Sequence, residues 1–250
     1  DTIVHLAAAT DVRLSIENPN IHFENNVVGT YNLLECARQR EVKNFVFASS
    51  SSVLGEASPP NHEGMITKPI SPYGSSKLCG EAYCSAYNHA YGLKTVSLRF
   101  SNVYGPNSDG KTSVVAKFIE KIMNGKSIEI YGTGEQTRDF IHVDDICQAI
   151  HLAIINKDVG GEMFQIATQT ELPILVLADM MNDLSEKYLN RCINKSHTEP
   201  IRGEIMRNYS IIEKAENLLG FKPNHKRFYN GLEETFRWFV ERNKNEETNK

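Results

Sequence analysis

The chain opens on a mostly apolar run, Thr2-Ile3-Val4-His5-Leu6-Ala7-Ala8, with too little polar alternation for a strand wetted on one face. Such a run reads as a parallel strand buried on both sides, an element that seldom begins a domain. Over residues 21–40 the apolar positions Phe23, Val27, Val28, Tyr31, Leu34 and Ala37 recur at helical spacing. Asn44-Phe45-Val46-Phe47-Ala48-Ser49 repeats the buried-strand pattern, so the first fifty residues read as β-α-β. A polar stretch, 52–70, leads to Ser71-Pro72, a side-chain cap followed by a proline suited to the first helical position. The helix predicted from there runs to about Tyr91 and stops at Gly92. Further along, 94–100 predicts a strand, 114–124 a helix, 127–131 a strand, and Asp144 the cap of a helix reaching Ile155. This alternation predicts α/β architecture, an open parallel sheet with helices on both faces. Past Gln169 the order loosens, with helices expected near 173–188, 211–219 and 229–242. The polar residues 241–250 are expected to fray.

Composition narrows the function. At 250 residues, 40% apolar and 23% charged, the chain reads as an ordinary globular protein with a real core. Its net charge of −4 and scattered basic residues argue against nucleic-acid binding. No apolar stretch approaches the ~20 residues that span a bilayer, so no membrane partner is expected. Five cysteines without a C-x-x-C pair predict reduced, buried thiols and a cytoplasmic setting.

Candidate chemistry lies after the second strand. Tyr73 and Lys77 sit four residues apart on a predicted helix and therefore share a face. Taken alone, such a pair is commonplace. Ser49-Ser50-Ser51-Ser52, however, falls at the carboxyl end of a buried parallel strand, where open α/β sheets bind ligands. Serine, tyrosine and lysine together suit proton transfer to and from an alcohol, because a nearby ammonium favours the phenolate of a tyrosine. Alcohol–carbonyl chemistry in turn requires a hydride carrier.

Six blocks extend this reading: His5-Leu6-Ala7-Ala8, Asn25-Asn26-Val27-Val28-Gly29-Thr30, residues 47–55, Ser71-Pro72-Tyr73-Gly74-Ser75-Ser76-Lys77, Arg99-Phe100-Ser101-Asn102-Val103-Tyr104-Gly105-Pro106, and Tyr131-Gly132 with residues 138–143. In order and spacing they resemble the extended short-chain dehydrogenases, and among these the UDP-sugar 4-epimerases. The resemblance implies a Rossmann-like, doubly wound parallel sheet, with its first β-α units missing from this chain, joined to a smaller C-terminal α/β substrate domain. Residues 1–104 and 141–169 would be the remainder of the NAD-binding domain; 105–140 and 170–250 would hold the nucleotide-sugar. The family's glycine-rich turn, which seats a pyrophosphate at a helix N-terminus, would precede Asp1. By itself, therefore, the chain is expected to bind NAD poorly.

Carried over by position, the resemblance makes Tyr73 the base at the sugar 4-hydroxyl. Lys77 would lower its pKa and hold the nicotinamide ribose. Ser50 would hydrogen-bond the reacting oxygen, with Ser51 and Ser52 as helpers. Leu6, Ala7, Ala8, Thr10 and Asn25 would line the NAD. Asn102 and Arg138 would contact the diphosphate, and Tyr131 the uracil. Isoleucine stands at 201 where the family has a phosphate-binding arginine, so Arg202 is expected to substitute, followed by the motif's acid, Glu204. Asn208 would face the sugar C2 substituent, its small amide leaving space for an N-acetyl group and thus for UDP-N-acetylhexosamines beside plain UDP-hexoses. Ser51 and Ser52 stand where dehydratases and decarboxylases carry carboxylates, which favours epimerisation. A reductase or dehydratase of the same family, and a catalytically silent sugar-nucleotide-binding scaffold, are the alternatives. A homodimer is expected through two helices, 26–38 and 73–91, whose apolar residues exceed one face.

Overall fold

The structure is a computed structural model that describes residues 1–200, 205–224 and 228–248. Four parallel strands form the main sheet in the order β1 (Thr2–His5), β2 (Asn44–Ser50), β3 (Lys94–Phe100) and β8 (Met163–Ile166). The register sets His5 beside Phe47, Ser50 beside Phe100, and Phe100 beside Ile166, so the carboxyl ends lie along one edge.

Alternation along β2 decides what covers each face. Phe45 and Phe47 point into a core with Leu34, Ala37, Cys84 and Tyr87, supplied by α3 (Gly29–Gln39) and α4 (Pro72–Tyr91). Val46 points the other way, into a core with Ile146, Ala149 and Ala153 of α6 (Val143–Ile155). Helices thus cover both faces, as the sequence pattern requires. Ile212, Ala215, Leu219 and Phe221 also pack into this second core, although the sequence division assigns them to the substrate unit.

A third core gathers Tyr104, α5 (Val114–Met123), β5 (Ile128–Tyr131), α7 (Ile174–Leu189) and α8 (Phe228–Thr248). Short strands border it: β4 (Asn102–Tyr104) pairs with β7 (Phe140–His142), β6 (Thr137–Arg138) with β9 (Leu172–Pro173), and β5 with β10 (Lys195–Thr198).

Between β1 and β2 the chain forms α1 (Val12–Glu17), α2 (Pro19–His22), a π-helical stretch over Phe23–Val28, and then α3. The wide turn swings Asn26 inward, where its amide bonds both the N–H and the carbonyl of Ala9 (2.8 and 2.9 Å) and the Ser76 hydroxyl (2.9 Å). The loop following β1 is thereby tied to α4.

Several expectations are corrected. Asp144 lies inside the first turn of α6; the cap is His142, whose Nδ1 accepts from the Asp144 N–H. Only Cys84 is buried. Cys79 is intermediate, Cys36 and Cys147 are exposed because α3 and α6 turn those positions outward, and Cys192 is exposed in the loop after α7. Helix α8 extends past the expected end at Arg242, through Thr248, and Arg242 pairs with Asp109.

Candidate active site

Two glycines set the distance between α4 and the serine loop. A Cβ on Gly80 would meet the Phe47 ring at 2.3 Å, and one on Gly74 would meet the Ser52 carbonyl oxygen at 2.6 Å. The helix therefore lies closer to β2 than a side chain would allow. Ser71 starts it by accepting from the Gly74 N–H (3.1 Å), and Gly92 ends it at φ 68°. This placement delivers Tyr73 and Lys77 to the end of β2.

Ser50 is the last residue of β2. Its Oγ caps a short 3-10 turn, Ser51–Leu54, by accepting from the Ser52 N–H, and it donates to the Ser52 hydroxyl (3.1 Å). It also stands close enough to the Tyr73 phenol to favour its ionised form. Ser51 turns away and donates to the Phe100 carbonyl. Lys77 is buried, donates to the Ala48 carbonyl (2.8 Å), and sets Nζ 5.1 Å from the Phe47 ring centroid and 6.0 Å from that of Tyr73. The three residues singled out by chemistry thus converge.

Burial dominates their electrostatics. It pushes the Lys77 ammonium from its ordinary 10.5 down to about 8. It also pushes the Tyr73 phenol up, with Ser50 acting in the opposite direction. Tyr73 itself is half-buried. Desolvation is the larger cause of the Tyr73 shift, and Lys77 lies beneath the ring. The neighbouring His5 is pushed down by its own burial and then by Lys77.

Beneath Ser50 lies a closed ion pair. The Arg99 guanidinium grips Glu81 through two hydrogen bonds (2.8 and 2.7 Å), and Ser49 donates to the same carboxylate at 2.5 Å. Both charged side chains are almost fully buried. Together they lock β2, β3 and α4 around the triad.

A second constellation stands beyond the end of β3. Asn102 donates to the Asp139 carbonyl, and Arg138 to the carbonyls of Thr137 and Ile205. The 205–208 segment runs along β6, with the Thr137 N–H bonded to the Met206 carbonyl. Asn208 accepts from the Asn61 amide (2.9 Å), which ties this segment to the loop following the serines. Burial holds the Asp139 carboxyl at about 6, against hydrogen bonds from Thr168 and Ser210. Tyr131, half-buried at the end of β5, offers its carbonyl to Gln136.

Of the residues assigned to the cofactor, Leu6, Ala7 and Thr10 are exposed and Ala8 is half-buried at the carboxyl end of β1. Asn25 follows on the π-helical stretch. It is exposed and its amide bonds the Ile21 carbonyl, because the π stretch presents Asn26 to the interior instead. Arg202 and Glu204 lie outside the described residues. Sequence reasoning missed Asn26 and the buried His22; the doubled asparagine was the available signal for the first.

The description of the NAD dependent epimerase/dehydratase family matches residues 1–167, two thirds of the chain. The chain belongs to that family. Members similar to it include the UDP-glucuronate 4-epimerase of Thermodesulfobacterium geofontis, 32% identical over 96% of this chain and 72% of that protein. Among solved structures, the UDP-N-acetylglucosamine 4-epimerase of Methanobrevibacter ruminantium is similar with a TM-score of 0.88 and 32% identity, covering 97% of this chain and 77% of that one. The UDP-glucuronic acid 4-epimerase of Bacillus cereus, solved with UDP-glucuronic acid and NAD, has a TM-score of 0.88 and 31% identity, covering 96% and 76%. The family's cofactor fits the residues present. Lys77 is a buried three-proton donor with one recorded acceptor, and the apolar end of β1 is open beside it.

Proposed function

We propose that this chain carries the catalytic machinery of a nucleotide-sugar 4-epimerase, acting on UDP-hexoses or UDP-N-acetylhexosamines. The observation that supports it most is the convergence of Ser50, Tyr73 and Lys77 at the carboxyl end of β2. NAD supplies a hydride acceptor and donor at the sugar carbon. Tyr73 takes the proton of the 4-hydroxyl as that carbon becomes a ketone, and returns it once the sugar presents its other face. With NAD bound, one proton and one hydride would leave and come back, so substrate and product would be isomers. Ser50 hydrogen-bonds the reacting oxygen. Lys77, having one backbone acceptor, retains protons for the hydroxyls of the nicotinamide ribose, with Leu6, Ala7, Ala8 and Thr10 beneath the cofactor. Asn102 and Arg138 receive the diphosphate, and Tyr131 the uracil.

Ser51 and Ser52 bring hydroxyls where dehydration would need a second acid, and Ser52 accepts the Ser50 proton. This favours epimerisation. Residues 1–104 and 141–169 form the cofactor-binding part in this reading, and 105–140 with 170–250 the sugar-nucleotide part. A cytoplasmic location and a place in polysaccharide synthesis accord with it. No helix among the described residues is long and apolar enough to cross a membrane.

Tyr73→Phe tests the assignment. It is expected to lower turnover in steady-state epimerisation by at least about a hundredfold, the scale of a lost general base. Retention of most activity would remove the mechanism.

A further inference from the structure

His22 ends α2 immediately before the π-helical stretch. It is fully buried, and neither ring nitrogen has a hydrogen-bond partner. Its ring stands edge-on to Tyr73, with centroids 6.2 Å apart and planes at 85°. Burying two unpaired nitrogens costs more than an edge-to-face contact returns. If packing were all the position required, a phenylalanine would serve it better. π-helical turns are also frequent at functional sites, and this one begins at the next residue.

We propose that His22 is a positioning residue for Tyr73, its imidazole forming a polar wall behind the phenol that holds the ring and favours the proton-accepting form. The proposal rests on the reading of Tyr73 as the base. The groups around the pair come from several elements. Lys77 of α4 lies under the Tyr73 ring, Ser50 of β2 stands near its hydroxyl, and His5 of β1 faces Lys77. Glu81, also on α4, is held by Arg99. Arg13 and Glu17 of α1 and Glu24 of the π turn are exposed. His22, at the end of α2, is thus a polar group that meets the Tyr73 ring from outside its own helix, and its nitrogens have no hydrogen-bond partner among the described residues.

The test compares pH profiles of kcat and kcat/KM for the enzyme, His22→Phe and His22→Gln, with Tyr73→Phe alongside. His22→Phe preserves a ring of similar size and deletes the nitrogens. It is expected to lower kcat about tenfold with KM within about threefold, and to move the acid limb up by about half a pH unit or more. His22→Gln, which keeps a hydrogen-bonding group, should recover part of that loss. A His22→Phe enzyme with unchanged kcat and an unmoved limb overturns the proposal, as does a change in KM alone. An active Tyr73→Phe would instead overturn the reading of the base. An inactive Tyr73→Phe beside an unimpaired His22→Phe removes only the role of His22. Carbon NMR titration of the tyrosine rings gives the same contrast without turnover, the Tyr73 signal being identified by its loss in Tyr73→Phe. A higher midpoint in His22→Phe supports the proposal; coincident curves overturn it.

Discussion

Replacing Lys77 by methionine should stabilise the protein while destroying its activity. The side chain is buried, and burial lowers its pKa from 10.5 to about 8. At about 1.4 kcal/mol per pH unit, holding the ammonium inside costs about 3 kcal/mol at neutral pH. Methionine fills a similar volume without charge. It forfeits the hydrogen bond to the Ala48 carbonyl, worth about 1 kcal/mol net, so the expected gain is about 2 kcal/mol. The sign carries a pH signature. The folded-state pKa lies below the unfolded one, so the wild-type penalty is complete below about 8 and vanishes as pH rises through 10.5. Urea unfolding followed by far-UV circular dichroism, at pH 7 and again at pH 10, measures both quantities in the protein without cofactor. Lys77→Met should lead at pH 7, with most of the advantage gone at pH 10. A variant less stable than wild type at pH 7, or a gain that does not shrink with pH, would refute the view that desolvation governs this site.

Two further expectations concern substrate and assembly. If Asn208 lies at the sugar C2 substituent, kcat/KM for UDP-N-acetylglucosamine should fall within about a hundredfold of that for UDP-glucose, a difference of ~2.7 kcal/mol. Asn208→Tyr should selectively remove the N-acetyl activity, and a larger preference for the plain sugar in the unmodified enzyme would reject the role. The exposed tyrosines Tyr31 and Tyr83, edge-to-face at 5.8 Å, continue through Tyr87 to Tyr91 under the Arg38 guanidinium. This aromatic face on α3 and α4 is suited to a second copy of the chain. Sedimentation at micromolar concentration should show a dimer, and a monomer would count against it.

The parts of the fold that the sequence disclosed are those governed by local physics. Ser71-Pro72 and Gly92 delimit α4 to the residue, because a side-chain cap, a proline and a left-handed stop act within one turn. β2 was legible because Phe45-Val46-Phe47-Ala48 is the apolar run of a strand buried on both faces, whereas β3 alternates Thr95, Ser97 and Arg99 with Val96 and Leu98 in the period of a strand. Features depending on distant partners were hidden. The small strands β4, β6, β7 and β9 are two or three residues long and exist only through pairing. The inward turn of Asn26 in place of Asn25 depends on a π stretch that shifts the helical phase, which no regular periodicity can register.

The same division runs through the site. Tyr73 and Lys77 could be found because helical spacing puts them on one face, and Ser50 because strand ends bind ligands. Their protonation could not be found that way. Placing a cation near a phenol suggests a lowered pKa, yet here the enclosure that brings the two groups together desolvates both and pushes each toward its neutral form. Close approach required Gly74 and Gly80 against the serine loop and Phe47, and that tight packing is what excludes water. The geometry that assembles the triad therefore opposes its charged state, and whatever restores the phenolate must enter with the ligands or come from a polar neighbour already in place. His22, edge-on to the Tyr73 ring with both nitrogens buried, is the neighbour proposed above for that role.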